Sequence, residues 1–170
     1  MENLNFKFDY KIPSLTLEDK KKYFSQAQLS ERKRFPLIIH QKGDEFNQVF
    51  NFILDDSYMK PHMHPGKNMI EKMHLISGSF KLIFFDDNGK ANKIYNIDKK
   101  NHRVEVPSYT WHTYVMTSKS TIIFETMMGK YDPLTWKKMP NWAPNENSKN
   151  SEKYLKAVSY THLTLPTIFR

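Results

Sequence analysis

Short apolar runs, separated by polar or Pro-containing turns, recur along most of the chain and predict β-strands. Asp86–Gly89 supplies the residues that a tight hairpin between two such runs requires. Regularly spaced short strands favour a β-sandwich or barrel. The predicted strands cover residues 35–39, 47–54, two or three segments within 73–85, then 93–97, 103–106, 113–116 and 121–126.

The two ends differ from this pattern. Thr16 precedes two acidic residues and then several lysines, which predicts a short capped helix with a charged outer face. After Gly129 the chain is rich in Pro and Trp, and we expect an irregular coil that packs across the barrel. The predicted organisation is therefore a helical segment at residues 1–29, one β domain at 30–148, and a disordered or artefactual tail at 149–170.

The tail carries the string AVSYTHLTLPT from Ala157 to Thr167, which resembles a translated sequencing adapter. This interpretation predicts that a chain ending near Lys156 is as stable as the full chain. The alternative is a genuine C-terminal strand, because Val158 and Leu163 belong to a run of good strand formers.

Composition narrows the chemistry of the chain. Its 170 residues suit one domain, and because it has no cysteine, any bound metal must take nitrogen or oxygen ligands. The net charge of +8 comes from scattered lysines without a basic helix or RNA-binding motif, so we expect no nucleic-acid partner. The sequence also lacks a signal-peptide pattern and a long apolar run, which predicts a cytoplasmic protein without a membrane partner.

Four residues form a candidate metal site. His62 and His64 are two apart, so both side chains point the same way in extended backbone. Glu71 opens a strand and shares a face with Met73, while His112 follows a Pro-containing turn later in the chain. Three imidazoles and one carboxylate suit a divalent ion such as Zn, Fe, Mn or Ni. We interpret three further histidines as packed or hydrogen-bonded side chains, namely His40, His74 and His102, while His162 belongs to the adapter-like tail.

The motif HxH, then Glu ahead of a Gly, then PxxxxH, resembles the two-part signature of the cupin superfamily. More closely, the chain resembles the WbuC-type cupin-fold metalloproteins. The matching strings are SERKR from Ser30, YMKPHMHP from Tyr58, VEVPSYTWHT from Val104 and WAPNE from Trp142. This resemblance implies an all-β cupin double-stranded β-helix, or jelly roll, with a short N-terminal helix and an irregular C-terminal coil. It also implies that the four candidate residues bind one divalent metal ion.

Three departures from the family pattern carry structural expectations. Six residues separate His64 from Glu71, so this loop must bulge for the carboxylate to reach the imidazoles. Tyr109 stands where cupins commonly place Gly, which predicts a turn that manages without a positive φ. Met63 replaces the Arg that is usual in the family, which indicates an altered contact with the substrate.

The resemblance implies a metal-dependent enzyme that acts on a sugar or nucleotide-sugar in surface polysaccharide (O-antigen) biosynthesis. Isomerisation and epimerisation are among the reactions that such an enzyme could catalyse. Tyr114 is the candidate acid or base, with a packed core tyrosine as the alternative. The candidate substrate-binding residues are Arg32, Arg34 and Gln48. The alternative for the two arginines is that they belong to a solvent-exposed basic segment that only links the helix to the first strand. The alternative function is that of a non-catalytic metal-containing module, which binds a small molecule or has a regulatory role. A homodimer paired through sheet edges is a further expectation.

Overall fold

In the computed structural model, which describes residues 11–160, eight strands form two antiparallel sheets between two short helices. The helices are α1 (Leu17–Leu29) and α2 (Ser151–Ser159). The strands are β1 (Arg34–Ile38), β2 (Phe46–Leu54), β3 (Glu71–Ser77), β4 (Phe80–Phe85), β5 (Ala91–Ile97), β6 (Arg103–Val106), β7 (Trp111–Met116) and β8 (Ser120–Met128).

The larger sheet has the order β1-β2-β8-β3-β6, and the smaller sheet has the order β5-β4-β7. Between them lies a core of buried apolar side chains from both sheets, among them Met73, Leu82, Tyr114 and Ile123. The predicted all-β jelly roll of the cupin type is therefore confirmed. The observed strands also lie where the apolar runs predicted them, within three residues at each end.

The outer face of the large sheet is buried as well, because α1 covers it. Phe50 and Phe52 of β2 are fully buried there, and Phe24 of α1 contacts the Phe52 ring edge-on with centroids 5.3 Å apart. The helix begins as predicted: the Thr16 hydroxyl accepts from the backbone N–H of Asp19, whose carboxylate accepts from the Thr16 N–H.

The segment after β8 crosses the barrel as an irregular coil, as expected. The Trp142 ring lies 5.2 Å from that of Phe85, and Glu146 binds the Arg34 guanidinium through both carboxylate oxygens at 2.7 Å. These contacts attach the coil to the barrel at two separate points.

At the C-terminal end the structure differs from the predicted disordered tail, because residues Ser151–Ser159 form α2. Its apolar residues Tyr154, Leu155 and Val158 fall on one helical face and pack in a cluster that includes Val115. The adapter-like string therefore begins inside a packed helix. The other part of that string, residues 161–167, lies outside the described residues, as does the strand predicted there.

The turn between β6 and β7 corrects another expectation. Tyr109 adopts φ +59, so this position keeps the left-handed conformation that Gly usually supplies. The conformation is tolerated because the Tyr109 side chain is 56% exposed and its backbone N–H donates to the His64 carbonyl at 3.0 Å. Within residues 11–160, none of the helices has the length and apolar character required to cross a membrane.

Candidate metal centre

The first imidazole of the HxH motif is held by backbone pairing with β7. His62 and His112 exchange both backbone hydrogen bonds, at 3.0 and 2.9 Å, which brings their rings to a centroid distance of 4.4 Å. His64 follows two residues later on the same side, with its ring 5.2 Å from that of His62. Met63 packs instead with an apolar cluster on the outer surface of the small sheet, as the alternation of extended backbone requires.

The carboxylate arrives from the other sheet. Glu71 is the first residue of β3 and pairs with Val106 of β6. The loop before it makes a turn in which the Met69 N–H donates to the Gly66 carbonyl at 3.0 Å, and this turn takes up the extra length between His64 and Glu71. Glu71 Oε2 lies 3.0 Å from His112 Nε2 and 3.6 Å from His64 Nε2.

Backbone carbonyls fix the orientation of all three rings. The Nδ1 atoms of His62, His64 and His112 lie 3.1, 2.8 and 2.9 Å from the carbonyl oxygens of Lys60, Trp136 and Thr110. A carbonyl only accepts, so each Nδ1 carries the proton. Each Nε2 therefore presents a free lone pair toward the shared centre, which is the arrangement seen in metal-ligating histidines.

The four ligand atoms fit a divalent ion. All four side chains are buried, and the atoms lie within 4.8 Å of one another. Two ligand atoms bound to one ion at about 2.1 Å are at most about 4.2 Å apart, so any pair near the 4.8 Å limit would have to draw closer by a few tenths of an ångström on binding. Within the described part of the chain, neither the three Nε2 atoms nor Glu71 Oε2 has a hydrogen-bond partner. Four buried polar atoms without a partner at one point are unfavourable unless a cation satisfies them.

The surroundings shift the pKa values of His62 and Glu71. Burial lowers the pKa of His62 well below its usual value, and Lys137 and His112 lower it further, so this imidazole stays neutral. Burial opposes ionisation of Glu71, but hydrogen bonding from His112 and His64 outweighs it and holds the Glu71 pKa well below its usual range, and a bound ion would displace the protons that these bonds require. Neutral imidazole and ionised carboxylate are the forms that bind a metal.

A cavity of about 70 Å³ adjoins the cluster, with His64 and Glu71 in its wall. Its other polar lining residues include Asn47, Glu125 and Lys137, none of which the sequence analysis assigned to the site. A signal for Glu125 was available. It lies in β8 at two-residue spacing from Ile123, whose side chain belongs to the barrel core, so a carboxylate in that register faces inward.

Glu125 and Glu71 are neighbouring carboxyl groups whose pKa values are shifted in opposite directions. Burial raises the pKa of Glu125 well above its usual value, and the negative charge of Glu71 raises it further. In the same region, burial and then the proximity of Glu125 raise the pKa of Tyr114. The arrangement favours an ionised Glu71 beside a protonated Glu125.

The structure places the other candidate residues away from the cavity lining. Gln48 shares a strand face with Phe50, on the side of the sheet covered by α1, so the inward position belongs to its neighbour Asn47. Arg34 is 6% exposed and bound to Glu146, which makes it an anchor for the C-terminal coil rather than a free anion clamp. Arg32 is exposed, and its carbonyl accepts from the Ser57 hydroxyl at 2.7 Å.

Tyr114 lies in the barrel core, as the alternative interpretation expected. It is 3% exposed and its ring contacts Phe80 edge-on, with centroids 6.0 Å apart. It shares the inward face of β7 with His112, although it is not part of the cavity wall. Its hydroxyl group interacts with the Glu125 side chain.

Comparison with known proteins supports the fold. A family model described as a domain of unknown function, DUF6016, matches residues 15–97, slightly less than half of the chain. That range contains three of the four clustered residues but not His112. No curated protein matches the sequence.

Many solved structures are similar. A protein from Shewanella oneidensis is 8% identical with a TM-score of 0.50, over 62% of this chain and 72% of its own. CapF in complex with 3-isopropenyl-tropolone is 15% identical with a TM-score of 0.50, over 62% of this chain but only 34% of its own. The Schizosaccharomyces pombe Cnp3 cupin domain is 14% identical with a TM-score of 0.45, over 60% of this chain and 67% of its own. The chain thus shares the two-sheet fold of the Shewanella oneidensis protein and CapF, and it carries a buried His-His-Glu-His cluster suited to a metal ion.

Proposed function

We propose that this protein is a divalent-metal-dependent enzyme that acts on a small, polar, sugar-derived substrate. The observation that carries the proposal is the convergence of three imidazole Nε2 atoms and the Glu71 carboxylate, all without a hydrogen-bond partner among the described residues, at one buried point. Three nitrogens and one oxygen from the protein leave coordination positions open for a substrate on ions that take five or six ligands.

A bound ion would act as a Lewis acid on vicinal substrate oxygens. The protein's own residues supply the remainder of the site. The lining of the cavity beside His64 offers a cation in Lys137, an amide oxygen in Asn47 and a carboxyl group in Glu125. Such fixed polar groups orient a substrate and stabilise charge as it develops.

The sugar or nucleotide-sugar assignment, and with it a role in surface polysaccharide biosynthesis, rests on the resemblance of the sequence to WbuC-type cupins. The C-terminal motif of that resemblance, WAPNE, has a structural part in this chain. Its Trp142 packs on Phe85, and its Glu146 binds Arg34 and accepts from the Lys60 N–H at 3.2 Å. Because the Lys60 carbonyl orients His62, this motif supports the candidate ligands directly.

The test is incubation of metal-loaded protein with candidate sugars and nucleotide-sugars, followed by product analysis by mass spectrometry and NMR. We expect product with the wild type and none with His112→Ala. The matched control is His102→Ala, which changes a histidine outside the cluster and should retain activity. Metal-loaded protein that converts none of the compounds would contradict an enzymatic role on this substrate class.

The second candidate function is a non-catalytic module that binds a small ligand at the metal. The small cavity favours it, because about 70 Å³ holds roughly two water molecules and would enclose only part of a sugar. Saturable binding of a compound without any product would support this alternative.

The proposed homodimer would use the open edge of β1, and sizing chromatography checks it: a monomer would contradict the dimer.

A further inference from the structure

Resting on the metal-binding function proposed above, we infer that the cavity beside the cluster recognises the hydroxycarboxylate end of a small anionic substrate. The cavity is lined by an amide oxygen, a carboxyl group and one cation in addition to the candidate metal ligands, and this combination is chemically selective. The lining residues that carry the inference are Asn47, Glu125 and Lys137.

The acceptors are buried and unsatisfied. Asn47 is 5% exposed and its amide donates to the carbonyls of Met127 and Gly129, which fixes its orientation and leaves Oδ1 without a partner among the described residues. Glu125 Oε1 is likewise buried with no hydrogen-bond partner in that part of the chain. Buried acceptors that lack donors are met by donors on a ligand or by water, so the cavity selects a hydroxylated compound.

The cation is held in place by its neighbours along the chain. The Trp136 carbonyl lies 2.8 Å from His64 Nδ1, and Lys138 exchanges backbone hydrogen bonds of 3.0 and 2.9 Å with Met63. Lys137 lies between these two fixed residues and lines the cavity, whereas the Lys138 ammonium group lies over the outer face of Trp111, 5.9 Å from its centroid. Lys137 is thereby positioned to pair with a negatively charged ligand.

The total charge of the loaded site has the same consequence. A divalent ion, three neutral imidazoles, the Glu71 carboxylate and the Lys137 ammonium group sum to +2 − 1 + 1 = +2, and an ionised Glu125 would reduce this to +1. In either case the site is positive and poorly hydrated, which favours an anion over a neutral compound of equal size. A carboxylate with a hydroxyl on the adjacent carbon also supplies two neighbouring oxygens for open metal positions.

The volume limits the size of the recognised group. About 70 Å³ holds a fragment of two or three carbons, and the remainder of a larger substrate would extend out of the open side of the cavity. Glycerate is therefore a suitable probe, since it has one carboxylate and two hydroxyls. Glycerol is its neutral counterpart, and propionate keeps the charge but has no hydroxyl.

Calorimetric titration of the zinc-loaded full chain with these three probes tests the inference. We expect glycerate to bind at least about tenfold more tightly than glycerol or propionate, the size of effect that one charge-assisted hydrogen bond gives. Lys137→Met should weaken glycerate binding at least about tenfold, and Lys138→Met should change it less than about twofold. Both variants should bind zinc to the same stoichiometry as the wild type.

The outcomes separate the two proposals. If the wild type binds no zinc, the metal function fails. If zinc binds but glycerate is not preferred over glycerol and propionate, the hydroxycarboxylate inference is wrong while the metal site stands. Equal glycerate affinity in Lys137→Met and Lys138→Met would also overturn it, and the comparison of probes on the wild type decides the question even if Lys137→Met does not fold.

Discussion

Replacement of Glu146 by Gln tests how the C-terminal coil is attached to the barrel. Arg34 is 6% exposed and donates from Nη2 to both Glu146 oxygens at 2.7 Å, and from Nη1 to the Tyr58 carbonyl at 2.9 Å. The amide keeps the size of the side chain but removes the negative charge. It leaves a buried guanidinium with neutral partners only, and we expect a clear loss of stability.

The magnitude follows from the burial of the two partners. Loss of one member of a fully buried ion pair costs about 3–5 kcal/mol. The Glu146 side chain is 24% exposed, so water partly screens the pair, and one replacement hydrogen bond from the amide offsets some of the loss. We therefore expect a decrease of about 3 kcal/mol in the free energy of unfolding. For a chain of this length that is roughly 6–12 °C in melting temperature.

Urea and thermal unfolding in the presence of a chelator measure this effect without a contribution from bound metal. The matched control is Asp55→Asn, which removes an ion pair with Lys119, a side chain that is 94% exposed. That change should cost less than about 0.5 kcal/mol. If the two variants lose the same stability, or if Glu146→Gln loses less than about 1 kcal/mol, the reasoning about the buried anchor is refuted.

Three further predictions concern local features. Gly78 has φ +86, and a Cβ added there would lie 2.5 Å from a backbone oxygen, whereas Gly43 has φ +98 in open space. In urea unfolding, Gly78→Ala should therefore lower the free energy of unfolding by about 2 kcal/mol more than Gly43→Ala does. Equal losses in the two variants would contradict this prediction. Burial lowers the pKa of His74 to about 4, so the free energy of unfolding should fall as the pH decreases from about 6.5 to 4. The loss should be less than about 1 kcal/mol, because the group is only half-buried, and His74→Gln should show a flatter dependence of stability on pH. Identical pH dependence in the variant and the wild type would contradict this prediction. A chain ending at Lys156 loses the buried Val158 and should unfold about 1–2 kcal/mol more easily; an unchanged melting temperature would instead support the adapter interpretation of that segment.

The convergence of His62, His64, Glu71 and His112 follows from features visible in the sequence. Two-residue spacing in extended backbone places the first two imidazoles on one side, and the alternation in β3 turns Glu71 toward the core with Met73. The pairing of His62 with His112 is a long-range contact between a loop and a strand. Local spacing does not specify that contact, and the family resemblance supplied it.

The face of β2 was harder to assign, and Gln48 shows why. In a sheet with one wet face, alternation of apolar and polar residues marks the inner side. Here α1 covers the outer face, so Phe50 and Phe52 are as buried as Ile53 on the inner face. The pattern is apolar on both sides, and the choice between Asn47 and Gln48 as the inward residue depended on the tertiary position of α1.

Lys137 lies in an irregular coil, where neither the two-residue period of a strand nor the 3.6-residue period of a helix predicts which way a side chain points. Its place beside the cluster depends on the backbone pairing of Lys138 with Met63 and on the bond between His64 and the Trp136 carbonyl. The helix α2 was missed for a different reason. Its apolar positions are few, and the adapter-like string removed residues from Ala157 onward from consideration.

The metal content of purified protein tests the central claim most directly. The wild type, prepared without chelators and analysed by mass spectrometry of its elements, should contain about one divalent ion per chain, since the four ligand atoms define one site. His112→Ala removes a Nε2 from that point and should retain little metal, while His102→Ala should match the wild type. Equal metal content in His112→Ala and the wild type would contradict the account.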